Sequence, residues 1–81
     1  MRADYSRQFR RAYRKAPMEI RKKLNKQLDL LIRDLRHPSL RAKKYNEPDN
    51  VWQARVDDSW RFYFRIEGDT YYLLDIIPHP K

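Results

Sequence analysis

Cysteine is absent from this 81-residue chain, and glycine occurs once. Without thiols, neither a disulfide nor a thiolate metal site can hold the fold together, and the composition fits a reducing compartment. Histidine is nearly as scarce. His37 and His79, far apart and with no cysteine beside them, do not make a metal site. No metal or other cofactor is therefore expected. No apolar run approaches the roughly 18 residues that a membrane-spanning helix requires. The charged start, MRADYSRQFRR, has no apolar stretch behind it and does not read as a signal peptide. A soluble, cytoplasmic chain with no membrane partner is expected. The length suits a single domain over residues 1–81 with one modest core, and repeats, low-complexity tracts and internal boundaries are all missing.

Positive charge is plentiful, and it is unevenly placed. The net charge is +8. Residues 1–44 hold 15 Lys and Arg against 4 Asp and Glu, whereas residues 45–81 hold 4 against 7. An excess of this kind favours a nucleic acid, an anionic membrane surface or an acidic protein partner over a neutral one.

The stretch 51–66, VWQARVDDSWRFYFRI, is the most informative one. Two runs of strict alternation flank the polar tripeptide Asp57-Asp58-Ser59, the pattern of a β-hairpin. With those residues as the loop, Val56 pairs with Trp60, Ala54 with Phe62 and Trp52 with Phe64, all on one apolar face. The same register sets Arg55 directly opposite Arg61. Like charges across a strand pair are destabilising. Either a carboxylate compensates or the site is built to hold an anion.

Upstream, Ser6 is a good helix cap for residues 7–16, where Tyr5, Phe9, Ala12 and Tyr13 recur at helical spacing and leave Arg7, Arg10, Arg11 and Arg14 in water. Pro17 breaks that run and suits the first turn of a second helix. Over 18–36 the residues Leu24, Leu28, Leu31, Ile32 and Leu35 form one stripe, and His37-Pro38 ends it. The short link implies an antiparallel helical hairpin. Residues 39–50 read as a connector, with Lys43 and Lys44 just ahead of the strands.

After the hairpin, Glu67-Gly68-Asp69 turns into a third strand over 70–77, with the lone glycine where a positive φ is required. A three-residue turn pairs Phe64 with Tyr72, Phe62 with Leu74 and Trp60 with Ile76, and puts Asp75 opposite Arg61 as a counter-charge. A two-residue turn would reverse the faces of this strand, and the residues fit either. The fold class is α+β: a two-helix antiparallel hairpin packed on a small antiparallel β-sheet. The other sheet face carries Gln53, Arg55, Arg61, Tyr63 and Arg65. Arginines interleaved with a tyrosine suit a phosphate backbone and a stackable base.

The run HPSLRAKKYNEPDNVWQARVDDSWRFYFRIEGDTYYLLDIIPHPK resembles the RelE/ParE toxin superfamily of bacterial toxin–antitoxin systems, its RelE/YafQ/HigB-like branch in particular. The features that carry the likeness are the HPSL-to-KK lead-in, the W-x-A-R-V strand, the W-R-x-Y-F strand and a last strand ending at P-H. The likeness extends over about residues 5–79. It implies the α+β fold just derived, with an N-terminal strand that is short or absent because only five residues precede the first helix. It implies a cognate acidic antitoxin, and the free chain is expected to be monomeric.

For activity, the resemblance implies an mRNA endoribonuclease that acts with the ribosome, needs no metal and inhibits translation. Its catalytic residues would be Arg55, Arg61 and His79, with Lys43, Lys44, Tyr63 and Arg65 binding RNA. Other members of the superfamily inhibit DNA gyrase without catalysis, and an inactive antitoxin-binding member is a third alternative. The sequence departs from the family's nucleases in three ways. It lacks their additional central histidines, it has Pro80 where an aspartate is common, and it lacks the C-terminal helix and tyrosine of RelE. A nuclease of this type needs a group that titrates near neutrality, and His79 is of that type. It also needs cations around the crowded phosphate, which Arg55 and Arg61 would supply. Trp60 is a possible stacking group, although its alternation assigns it to the core.

Overall fold

The computed structural model describes residues 1–78. A strand β1 (Arg2–Tyr5) leads into two helices, α1 (Arg7–Lys15) and α2 (Met18–Arg33). A 3₁₀ turn (Pro38–Leu40) precedes four strands: β2 (Lys43–Asn46), β3 (Val51–Arg55), β4 (Trp60–Glu67) and β5 (Thr70–Pro78). The sheet order is β1-β5-β4-β3-β2. All neighbours are antiparallel except β1, which runs parallel to β5. The architecture is the expected α+β layer, but the sheet is mixed rather than antiparallel. No described helix is long and apolar enough to cross a membrane.

Local chemistry sets the helix ends. Ser6 caps α1, its Oγ accepting the Phe9 N–H at 2.9 Å. Pro17 keeps Ala16 extended, so α1 stops at Lys15. The second helix ends at Arg33, short of the expected 36. Asp34 swings to φ −160°, and its carboxylate accepts the Arg36 N–H at 3.0 Å. Such a local side-chain bond competes with a further helical turn. The stripe that α2 buries is Ile20, Leu24, Gln27, Leu28 and Leu31. Ile32 is exposed and Leu35 only packs against the margin of the core.

The hairpin register is as expected, with Trp52 opposite Phe64, Ala54 opposite Phe62 and Arg55 opposite Arg61. Phe62 and Phe64 are fully buried against Leu24, Leu31, Leu40 and Leu73. Burial of each ring stabilises the fold by about 2–3 kcal/mol.

Two expectations are corrected, and a third, left open between a short strand and none, is resolved. The connector 39–50 contains strand β2, a polar edge strand whose KKYN sequence has no apolar alternation to reveal it. The N-terminal strand is short but present, paired from Arg2 to Tyr5 with residues Thr70 to Leu73. The β4–β5 turn has two residues, with Glu67 paired to Thr70 and Gly68 at φ +61°. A bulge at Leu74 then adds one residue, so that Phe64 meets Leu73, Phe62 meets Ile76 and Trp60 meets Pro78. Tyr71, Leu73 and Ile76 therefore all reach the core. Asp75 falls opposite Tyr63, not opposite Arg61.

Ser6 also secures the bulge. Its N–H donates to the Leu73 carbonyl and its Oγ to the Leu74 carbonyl, both at 2.9 Å. Ser6→Ala removes the cap and a bulge contact together, and we expect a loss of about 1–2 kcal/mol. A urea unfolding midpoint equal to that of the wild type would show that the bulge holds without Ser6.

Candidate nucleic-acid interface

The two helices cover one face of the sheet, and strand alternation sends Lys43, Gln53, Arg55, Arg61, Tyr63 and Arg65 to the other, where Tyr45 meets the Tyr63 ring. On that open face lies a cleft of about 180 Å³ lined by Arg41, Lys43, Gln53, Ala54, Arg55 and Arg61. Four of its six lining residues are cationic.

The two facing arginines resolve their repulsion differently. Arg55 pairs with the carboxylate of Asp58, which is itself mostly in water. Arg61 donates from one guanidinium nitrogen to two backbone carbonyls, Asp57 at 2.6 Å and Trp60 at 3.0 Å. No carboxylate pairs with Arg61 among the described residues. Carbonyls orient a guanidinium without cancelling its charge, so the cleft keeps a field that attracts anions. Asp75, the expected counter-charge, accepts the Ile76 N–H at 2.8 Å instead.

Asp57 fixes the hairpin tip that aims Arg61. Its carboxylate accepts the Ser59 and Trp60 N–H groups at 2.8 and 2.9 Å and pairs with Lys23 of α2 at 3.2 Å. Burial alone would raise its pKa. The Ser59 N–H, the Lys23 ammonium and the Trp60 N–H outweigh that and hold it below the ordinary value of 3.8.

Of two residues that the sequence reading did not single out, Arg41 lines the cleft and Gln27 supports it from behind. Arg41 ends the 3₁₀ turn in the left-handed region, at φ 47° and ψ 43°. That conformation costs an arginine about 1 kcal/mol, and the surrounding structure must hold it. His37, expected only to end a helix, caps this turn by accepting the Ser39 N–H at Nδ1, 3.2 Å away. Gln27 is 5% exposed, the one buried polar side chain among the described residues. Its Nε2 donates to the carbonyls of Arg55 (2.8 Å) and Ser39 (3.1 Å), and its Oε1 accepts from Ser39 Oγ at 3.0 Å. One amide thus joins α2 to the end of β3 and to the turn that presents Arg41. Its signal in the sequence is a glutamine within an apolar stripe.

The remaining candidate residues are dispersed. Lys43 sits at the exposed rim of the cleft. Lys44 projects from the opposite face, 5.2 Å over the Trp52 ring, and donates to Asn50 Oδ1 at 2.8 Å. Alternation along β2 separates the two lysines, so Lys44 does not join the cleft. Tyr63 stands beside Gln53, whose Nε2 donates to the Tyr63 hydroxyl at 2.9 Å. Arg65 shares the open face further along β4, with Nε donating to the Asp49 carbonyl at 3.2 Å. Trp60 is half-buried at the edge of the core. His79 lies outside the described residues. No cluster of three potential metal ligands occurs among the described residues. The cleft itself can bind an oxyanion and stabilise charge developing on it.

No protein-family model matches the sequence, and no curated protein matches it either. Solved structures do. The YoeB/ParE toxin from Agrobacterium tumefaciens superposes with a TM-score of 0.81 at 14% identity, covering 99% of this chain and 100% of that one. The fold is that of the RelE/ParE-type toxins. The RelE of the archaeal RelE–RelB complex from Pyrococcus horikoshii superposes at 0.80 with 15% identity, over 99% and 96% of the two chains. YafQ from E. coli superposes at 0.79 with 19% identity, over 96% and 93%.

The depressed pKa of Asp57 makes a pH prediction. A carboxyl held below its unfolded value contributes stability that is complete above that value and is lost as pH falls through the folded one. Between about pH 6 and about pH 3 the thermal midpoint of the wild type should therefore fall further than that of Asp57→Asn. Parallel curves would remove Asp57 from the acid response.

Proposed function

We propose that this chain is the toxin of a toxin–antitoxin pair and a metal-independent endoribonuclease acting on translated messenger RNA in the bacterial cytoplasm. The observation that carries this reading is the Arg55–Arg61 pair, with Arg61 free of any carboxylate among the described residues, in a cleft completed by Arg41 and Lys43. That cleft lies on the open sheet face of a fold shared with RelE and YafQ.

In this reading a ribose 2′-OH attacks the adjacent phosphorus. The bond to the 5′-oxygen breaks, leaving a 2′,3′-cyclic phosphate and a 5′-OH. The 2′-OH loses its proton to a base, and the leaving oxygen gains one from an acid. Arg55 and Arg61 donate to the non-bridging oxygens, where negative charge accumulates in the transition state. Lys43 and Arg41 hold the neighbouring backbone, and Arg65 extends the basic track along β4. His79 is the residue proposed to move a proton. Lys44, on the other face of the sheet over the Trp52 ring, has no part in this set.

The proposed protein partner is an acidic antitoxin. Structures of the fold include RelE with RelB and YoeB with YefM. Between α1 and α2 of this chain runs a groove of about 610 Å³ lined by Tyr5, Phe9, Tyr13 and Leu28, with Arg10 and Arg14 at its walls. Aromatic walls beside guanidinium groups suit an acidic amphipathic segment.

Induction of the chain in bacteria, with mapping of mRNA 5′ ends, tests the reading. Wild type should arrest growth and create 5′-OH ends within translated frames. Arg61→Ala should lower the cleavage rate by about a hundredfold or more, and His79→Ala should abolish it while the protein stays folded. Growth arrest with intact mRNA would overturn the reading in favour of a gyrase inhibitor. Harmless expression would point to an inactive antitoxin-binding member.

A further inference from the structure

The open face carries a second feature beside the cationic cleft. Tyr45 is 61% exposed, the most exposed aromatic side chain among the described residues. A single exposed ring on a protein surface is ordinary. Two details set this one apart. Lys44 pairs with Trp52 and Asn46 with Val51, so Tyr45 is the extra residue of a bulge in β2. Bulges redirect a side chain and recur beside functional sites. The ring is also braced. It meets the Tyr63 ring at 5.1 Å and 69°, and the Tyr63 hydroxyl is held by Gln53, a residue of the cleft wall. A braced ring loses little conformational freedom when something stacks on it.

We propose that Tyr45 is a base-stacking platform, so that the open face takes an unpaired nucleotide with its phosphate in the cleft and its base on the Tyr45 ring. The proposal rests on the reading of the cleft as an RNA site. Lys43 precedes Tyr45 by two residues on the same strand, a rise of about 7 Å, which is roughly the reach of one nucleotide from phosphate to base. Tyr63, half-buried with its hydroxyl engaged, serves as the wall behind the platform. The ligand class follows from this geometry. A base in a duplex has both faces covered by its neighbours, whereas a base in a single strand can turn out onto an aromatic ring. Tyr45 thereby sets a preference for single-stranded over paired RNA, and for a base over a bare sugar–phosphate unit.

The test compares equilibrium binding of two oligomers of equal length at one salt concentration: an unpaired RNA and an abasic ribose–phosphate chain. Wild type and Tyr45→Phe should bind the base-bearing oligomer about tenfold more tightly, the scale of one stacked base. Tyr45→Ala should lose that preference while its affinity for the abasic chain stays unchanged. Retention of the preference by Tyr45→Ala would overturn the stacking role and leave the phosphate cleft intact. Binding of neither oligomer by the wild type would overturn the RNA reading of the cleft, and the platform with it.

Discussion

Arg55 and Arg61 face each other across β3 and β4, and much of the surrounding structure serves to hold them there. Two like charges on directly opposed residues work against the hairpin that carries them. A chain selected for stability alone would place a carboxylate between them. Here the exposed Asp58 attends to Arg55, and two backbone carbonyls orient Arg61. The hairpin tolerates the repulsion because its other face buries Phe62 and Phe64 completely. Core burial of several kilocalories per mole exceeds a cross-strand repulsion of about 1 kcal/mol or less. A guanidinium that no carboxylate among the described residues neutralises is the group that the proposed function assigns to a phosphate.

The same constraint gives meaning to contacts that would otherwise be unremarkable. Gln27 occupies a core position on α2, where a leucine would bury more apolar surface. Its amide instead ties the Arg55 carbonyl to the turn before Arg41. Arg41 stands in a conformation that favours glycine, and it lines the cleft from there. Asp57 joins the hairpin tip to Lys23 of the helical layer. The helices thus support the cationic face through specific polar links as well as through packing. Such links keep donors oriented before a ligand arrives, which is the condition for electrostatic stabilisation of a transition state.

Much of the fold was legible in the sequence where one period dominates. Alternation over residues 51–66 yields the β3–β4 register and the opposition of the arginines, and Ser6 and Pro17 mark helix boundaries. The register of β5 was not legible. The polar tripeptide Glu67-Gly68-Asp69 fits turns of two lengths, and the bulge at Leu74 is held by Ser6, 68 residues away in sequence. Strand β2 escaped because an edge strand of polar residues has no apolar rhythm. Of the site, Arg55, Arg61 and Lys43 converge as their strand positions suggest. Arg41 and Gln27 belong to it through tertiary contacts that no local pattern announces. Lys44 does not converge with them, since adjacent strand residues face opposite ways. His79 rests on resemblance alone.

In the proposed function Arg61 keeps its charge for a phosphodiester. That claim is tested most directly by the thermal unfolding midpoint of wild type and Arg61→Gln, each with and without a short single-stranded RNA at low salt. A ligand that binds the native state raises the midpoint according to its affinity. RNA should raise the wild-type midpoint by several degrees and that of Arg61→Gln much less. An equal rise in both proteins would contradict the claim and place the RNA, if it binds, elsewhere on the basic surface.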